Sequence, residues 1–234
     1  MRKADPAAVK KSFGLFIDEL TGYLDRMDSA ATSTTHAKGD LSRLAETVFF
    51  LGFVAFERFH TDLMIAYMNR DFSAYQADLL LSIQESVRDR YDAWAAKRVA
   101  FDSDDHVTVS EVAQRVAATG RNLSFSDSAA IKEKGRRWVS SRCGRGIASL
   151  SQEDERLIDA AKAIRNFIAH RSDQSKGVMN TALDAVAKKA PANAGLGRGK
   201  KRVDSAGVYL KAVKKGERRV KTYLLRLKSI AVAM

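Results

Sequence analysis

Arg165, Asn166 and His170 sit close together in the run Ala163-Ile164-Arg165-Asn166-Phe167-Ile168-Ala169-His170-Arg171. Each has a use in phosphoryl chemistry. Histidine titrates near neutral pH and can take or give a proton. Arginine keeps its charge and donates in a fork that matches two phosphate oxygens, so it can stabilise a phosphorane. An amide such as Asn166 can orient either partner. These residue types suit metal-free RNA cleavage, in which a base removes the 2′-hydroxyl proton and that oxygen attacks the adjacent phosphate. Helix geometry adds a constraint. Asn166 and His170 are four apart and share a face, whereas Arg165 and His170 are separated by about 140° on a regular helix. One straight helix therefore does not aim both at one atom. A surface cation followed by a histidine favourable at a helix C-terminus accounts for the same residues.

Further groups carry weaker signals. Glu57 and His60 lie one turn apart in Phe56-Glu57-Arg58-Phe59-His60-Thr61-Asp62-Leu63. Either can serve a cleft, or be a solvated charge and a structural histidine. His36 and His106 have no ligand partner at a metal spacing, and we expect neither metal nor cofactor. Cys143 stands between Arg142 and Arg145 without the surroundings of a cysteine nucleophile.

The elements that would carry these groups read as helices nearly throughout. Helical spacing of Val9, Phe13, Phe16, Ile17, Leu20 and Leu24 predicts a helix over 7–27. Asp40 is the expected N-cap of a long second helix through Leu44, Val48, Leu51, Ala55, Phe59 and Met64 to about Asn69, apolar on most faces. Ser73 is expected to cap a third helix carrying Leu80, Ile83, Val87, Tyr91 and Trp94. Thr108 and Glu111 form a capping box for a short helix ended by Gly120. Ser126 or Asp127 caps a helix through Ile131 and Trp138, and Cys143 to Gly146 breaks the pattern. Ser151-Gln152-Glu153-Asp154 is a second capping box, and Leu157, Ala161, Ile164 and Ile168 follow at helical spacing. Another helix spans 178–189. No strand alternation stands out, so the expected class is all-α.

Composition narrows the field. With 45% hydrophobic and 29% charged residues, the 234-residue chain has an ordinary globular balance, which excludes wholesale disorder. A single cysteine excludes an internal disulfide and a cysteine-rich zinc site. The longest apolar run, Val48 to Phe56, is far short of the ~18 residues that span a bilayer. The opening MRKADPAAVKK lacks the apolar core of a secretory signal. The expectation is a cytoplasmic protein with no membrane association. Net charge is +12, and the stretch from Gly195 onward holds 12 basic against 2 acidic residues. Such a block attracts polyanions through counterion release, although an acidic protein surface or plain solubility would also use it. We read 191–203 as a linker and 204–234 as a basic helical segment hinged near Gly216, appended to a helical domain over 1–190.

The Arg-Asn-x-x-Ala-His form at Arg165–His170, at the end of a late amphipathic helix and about a hundred residues after a long apolar one, resembles the signature of the HEPN superfamily. The Glu57 stretch resembles the early long helix of HEPN groups with a Glu-x-Phe-like element, and the nearest likeness is to RiboL-PSP-like HEPN proteins. The likeness covers roughly 41–171. It implies a helical bundle and a metal-independent endoribonuclease that pairs two motifs across one cleft. With one motif in this chain, it implies a homodimer. His170 would be the general acid/base, Arg165 the phosphate cation, Asn166 an orienting group and Glu57 an acidic neighbour. RNA would be held by Arg171 and by Arg198, Lys200, Lys201, Arg202, Lys214, Lys215, Arg218, Arg219 and Lys221. Relatives of this kind serve in toxin–antitoxin and phage-defence systems, which implies an antitoxin or nucleotidyltransferase partner.

Two other readings stand beside it. One is a HEPN fold that holds nucleotide or nucleic acid without cutting. The other is a DNA-binding regulator using 108–138 as a helix-turn-helix, with Lys132, Lys134, Arg136 and Arg137 on its second helix.

Overall fold

A 34-residue helix, α2 (Ala37–Arg70), is the axis about which the other elements are arranged. The computed structural model describes residues 3–31, 35–101, 107–116, 123, 125–187 and 193–234. In chain order the other elements are α1 (Pro6–Ala31), α3 (Ser73–Arg90), α4 (Ala93–Ala96), α5 (Val109–Val116), α6 (Ser128–Trp138) and α7 (Arg145–Ala148). They continue with α8 (Gln152–His170), α9 (Asp173–Ala187), α10 (Ala206–Lys211), β1 (Val213–Lys214), β2 (Glu217–Arg218) and α11 (Arg219–Ala233). The fold is all-α, interrupted among the described residues only by the antiparallel pair β1–β2.

The apolar circumference of α2 explains its position. Val48, Phe49, Phe53, Phe56, Phe59, Leu63, Met64 and Met68 are all buried, because α1, α8, α10 and α11 cover it from different sides. Against α1, Phe13 stacks on Phe59 with ring centres 4.8 Å apart. Ala4, just before α1, donates its N–H to Asn69 Oδ1 at the end of α2, while Leu20 reaches Gly52. The two helices therefore run antiparallel.

α2 begins at Ala37, earlier than the expected cap at Asp40, with His36 at the N-cap. Asp40 instead supplies negative charge to the first turn, which the helix dipole favours. The third helix stops at Arg90, and Asp92 caps the separate α4 by accepting from the Ala95 N–H at 2.7 Å. Ser73 is the first residue of α3 rather than its cap. Its N–H and hydroxyl both donate to Asp71, which holds that carboxyl below its ordinary range. The Thr108–Glu111 box is formed in both directions, and Asp127 caps α6. Gly120 lies outside the described residues.

The C-terminal segment is not an appendage. α11 packs on α1 and α2 and buries Val220, Tyr223, Leu224, Leu227 and Ile230. Tyr223 meets Phe49 edge-on at 5.6 Å. Leu224 fills a notch at Gly52, where an added Cβ would lie 2.2 Å from its Cδ2. Gly52 is therefore a close-approach glycine. The expected linker is also built in where it is described. Leu196 is 1% exposed, and its carbonyl accepts from the hydroxyls of both Tyr209 and Tyr223. The hinge at Gly216 is the turn of the hairpin, with Lys215 and Gly216 both at positive φ. Charge counting had obscured an apolar stripe at helical spacing in α11, and that stripe decides the packing.

The helix-turn-helix reading of 108–138 does not fit these contacts. α5 docks on α2, whereas α6 docks mainly on α3, α7 and α8 and touches α2 only lightly. Lys132 pairs with Glu155 at 2.5 Å and Arg137 with Asp78 at 2.6 Å, so part of the basic face is spent inside the fold.

Candidate functional site

α8 is well specified locally. Ser151 caps it by accepting from the Asp154 N–H at 3.1 Å, and Glu153, Asp154 and Glu155 complement its dipole. Leu157, Ile158, Ala161, Ile164 and Phe167 are buried, and the helix packs on α2 and α9. This register leaves Arg165 and Asn166 half-buried on the flank facing α2. The helix closes at His170, where Arg171 adopts the left-handed conformation (φ 51°) and its N–H bonds to the Phe167 carbonyl at 2.9 Å.

Arg165 reaches across to α2. Its Nη2 lies 3.2 Å from Glu57 Oε2, its Nη1 donates to Asn166 Oδ1 at 3.0 Å, and its guanidinium carbon is 5.7 Å from the Phe50 ring centre. Nε is buried with no partner among the described residues. The Arg165 and Glu57 side chains keep 28% and 29% exposure, so the pair remains open to an incoming group. A carboxylate, an amide and an aromatic face thus fix one guanidinium edge, and a fixed cation is what a developing phosphorane charge requires. Arg165, Asn166 and Glu57, three of the four expected catalytic residues, are brought together.

The fourth is not joined to them. His170 is exposed at the end of α8, and no described side chain bonds to its imidazole. Arg165 turns toward α2, and His170 lies exposed at the helix end. Arg171 beside it pairs with Glu46 at 2.5 Å, and the other Glu46 oxygen accepts from the Gly207 N–H at 2.9 Å. Glu46 therefore ties the end of α8 to the start of α10. Neither Glu46 nor Phe50 was singled out from sequence. Both share the Glu57 face of α2 at helical spacing, a signal that could have found them.

His60 is a different kind of histidine. It is 1% exposed, and its Nδ1 lies 2.9 Å from the Phe56 carbonyl. A carbonyl only accepts, so Nδ1 carries the proton and Nε2 presents a lone pair. Nε2 has no partner among the described residues and adjoins a cavity of about 20 Å³ lined in part by Glu57, Phe125, Asp127 and Lys162. That is room for about one water, not for a substrate. Burial pushes the His60 pKa down to about 4, so it stays neutral and is no acid/base at physiological pH.

The expected nucleic-acid cations divide into two groups. Arg171 pairs with Glu46, Arg198 with Asp184 at 3.2 Å, and Lys221 with Asp25 at 2.9 Å. Arg218 grips Asp28 with two bonds of 2.6 Å, and Arg219 donates to the Gly195 and Tyr209 carbonyls. Lys200, Lys201, Arg202, Lys214 and Lys215 remain exposed. Half-buried Cys143 has no such role. Among the described residues no three His, Cys, Asp or Glu side chains are grouped to hold a metal ion, and no helix is long and apolar enough to cross a membrane.

Comparison with protein-family models, with curated proteins and with solved structures yields no match to this chain.

Proposed function

We propose that this protein is a metal-independent endoribonuclease of HEPN type that works as a homodimer. The observation that carries the reading is the Glu57–Arg165–Asn166 cluster, solvent-reachable and built across α2 and α8, with an exposed histidine at the end of the same α8. In this reading Arg165 stabilises the phosphorane, Glu57 and Asn166 position it, and His170 moves the 2′-hydroxyl proton. Because no contact among the described residues joins His170 to the Arg165 cluster within one protomer, a second copy completes the cleft in this reading. Exposed Phe16 and Leu51, on α1 and α2, line one groove with Val54 and Ala55 and offer apolar surface for that copy. A role as a toxin or phage-defence effector, held in check by an antitoxin or nucleotidyltransferase, belongs to the same proposal.

The test is incubation of purified protein with single-stranded RNA in EDTA beside Arg165→Ala and His170→Ala. The expected result is cleavage to 2′,3′-cyclic phosphate ends, reduced by about a hundredfold or more in each variant. Absence of cleavage by the wild type, or full activity in both variants, overturns the reading. A non-cutting RNA-holding module is the second reading, favoured by the neutralisation of Arg165 by Glu57 within one protomer. RNA binding without cleavage in all three proteins selects it.

A further inference from the structure

Twelve cations crowd the stretch from Gly195 onward, yet the fold spends many of them on structure. Arg198, Arg218, Lys221, Arg226 and Lys228 pair with Asp184, Asp28, Asp25, Asp154 and Asp18 respectively, and Arg219 donates to two backbone carbonyls. Lys211 donates to the Lys38 carbonyl. Five remain: Lys200, Lys201 and Arg202 in the loop before α10, and Lys214 and Lys215 in the β1–β2 hairpin. All five are exposed, and none has an ion-pair partner among the described residues.

These five lie on two segments that meet where Gly195 approaches Lys214. The loop enters beneath the hairpin, where Leu196 is clamped by two tyrosine hydroxyls and Gly195 accepts from Arg219. A Cβ placed on Gly195 would lie 3.3 Å from Lys214 Cβ. Lys200 is five positions after Gly195, so its backbone is within about 18 Å of Gly195 even if the chain is fully extended. At its other end the loop is fixed to α9. The Val203 N–H donates to Asn180 Oδ1 at 2.7 Å, and Asp204 pairs with Lys176 at 2.9 Å. Three residues later Gly207 donates to Glu46, which also holds Arg171 next to His170. Of the nearby acids, Asp184 pairs with Arg198 and Asp204 with Lys176, while Glu217 lies opposite Lys214 across the hairpin and shares Lys221 with Asp25; Arg202 also acts on the Asp204 carboxyl. What is left is a corner with an excess of positive charge, from which the loop leads to α10 and, through Glu46, to the end of α8.

We infer that Lys200, Lys201, Arg202, Lys214 and Lys215 form a phosphate-backbone site that carries a single RNA strand toward the end of α8, and that the paired cations of the same segment take no part in it. That the strand is RNA rests on the ribonuclease reading; the polyphosphate chemistry rests on the charge. Compact, hydrated ammonium groups on exposed turns bind phosphate as point charges, without base readout.

The test is fluorescence anisotropy of a labelled single-stranded 2′-O-methyl RNA, which binds but lacks the attacking hydroxyl, titrated with full-length protein between 0.05 and 0.3 M salt. Neutralising up to five phosphates gives a log–log salt slope of about −3.5 from these residues. Replacing all five by Ser should flatten the slope by about that amount and weaken Kd at 0.1 M salt at least tenfold. Lys228→Ser, at a cation paired with Asp18, should leave slope and Kd unchanged. A deoxy strand bound as well as RNA supports a phosphate-reading site; binding lost on removal of the 2′ substituent overturns it. So does a five-residue variant that is folded by circular dichroism and retains the wild-type slope. Wild-type protein that binds 2′-O-methyl RNA with the expected slope but cuts no RNA sinks the ribonuclease reading and leaves this site standing. Cleavage that persists alongside an unchanged Kd in the variant sinks this site alone.

Discussion

His60 should make the fold acid-labile well above the range in which carboxylates titrate. Its ordinary pKa is 6.5 and burial lowers it to about 4. On acidification the unfolded chain therefore takes up the proton first, and stability falls as pH drops from 6.5 toward 4 and levels off below that. Each pKa unit is worth about 1.4 kcal/mol, so the whole window is worth about 3 kcal/mol, of which about 2 is lost between pH 7 and pH 5. The structural cause is the second proton. Nδ1 already donates to Phe56, and a proton on Nε2 would enter the cavity that Lys162 shares. Glu57 and Asp127 also line it, and their charge opposes the loss. Urea unfolding followed by circular dichroism at pH 7, 6 and 5 reads the effect. His60→Asn keeps a donor for the Phe56 carbonyl and does not titrate. Asp62 and Asp159, whose carboxyls burial holds above the usual range, contribute in the opposite sense but are common to both proteins. The difference between the two stability–pH curves isolates His60. Parallel curves would refute the burial argument.

Other perturbations probe the packing of the C-terminal segment. Tyr209→Phe and Tyr223→Phe each leave the Leu196 carbonyl one donor, whereas the double variant strands it inside the core; the singles should cost less than about 1 kcal/mol each and the pair about 1–3, seen as non-additivity in urea midpoints. Gly52→Ala should cost about 1–3 kcal/mol by forcing Leu224 off its rotamer, and pairing it with Leu224→Ala should relieve the overpacking part of that cost. Failure of the second change to relieve the first would show that the notch is not what seats α11.

Elements specified by local chemistry were legible in the sequence. The capping boxes at Thr108 and Ser151 and the Asp127 cap depend on residues three apart, and α1, α2 and α8 announce their apolar faces by spacing. The fate of the charged C-terminal stretch was not legible. Arg218 finds Asp28 across 190 positions and Lys228 finds Asp18 across 210, and no count of basic residues sees such pairings. The burial of α11 was missed for a related reason: its apolar stripe alternates with lysines and arginines whose charge dominated the reading. At the site, residue chemistry nominated Arg165, Asn166 and His170, and only the family resemblance reached back 108 residues to Glu57. The separation of about 140° between Arg165 and His170 rests on helical pitch alone.

The seating of α11 has a bearing on how the chain is made. Phe49 and the Gly52 notch emerge from the ribosome early, but the side chains that cover them, Tyr223 and Leu224, emerge some 170 residues later. Long-range closure of this kind delays cooperative folding until the covering helix is available. Until α11 is made, a nascent chain leaves Phe49 and the Gly52 notch uncovered on the same helix that carries Glu57.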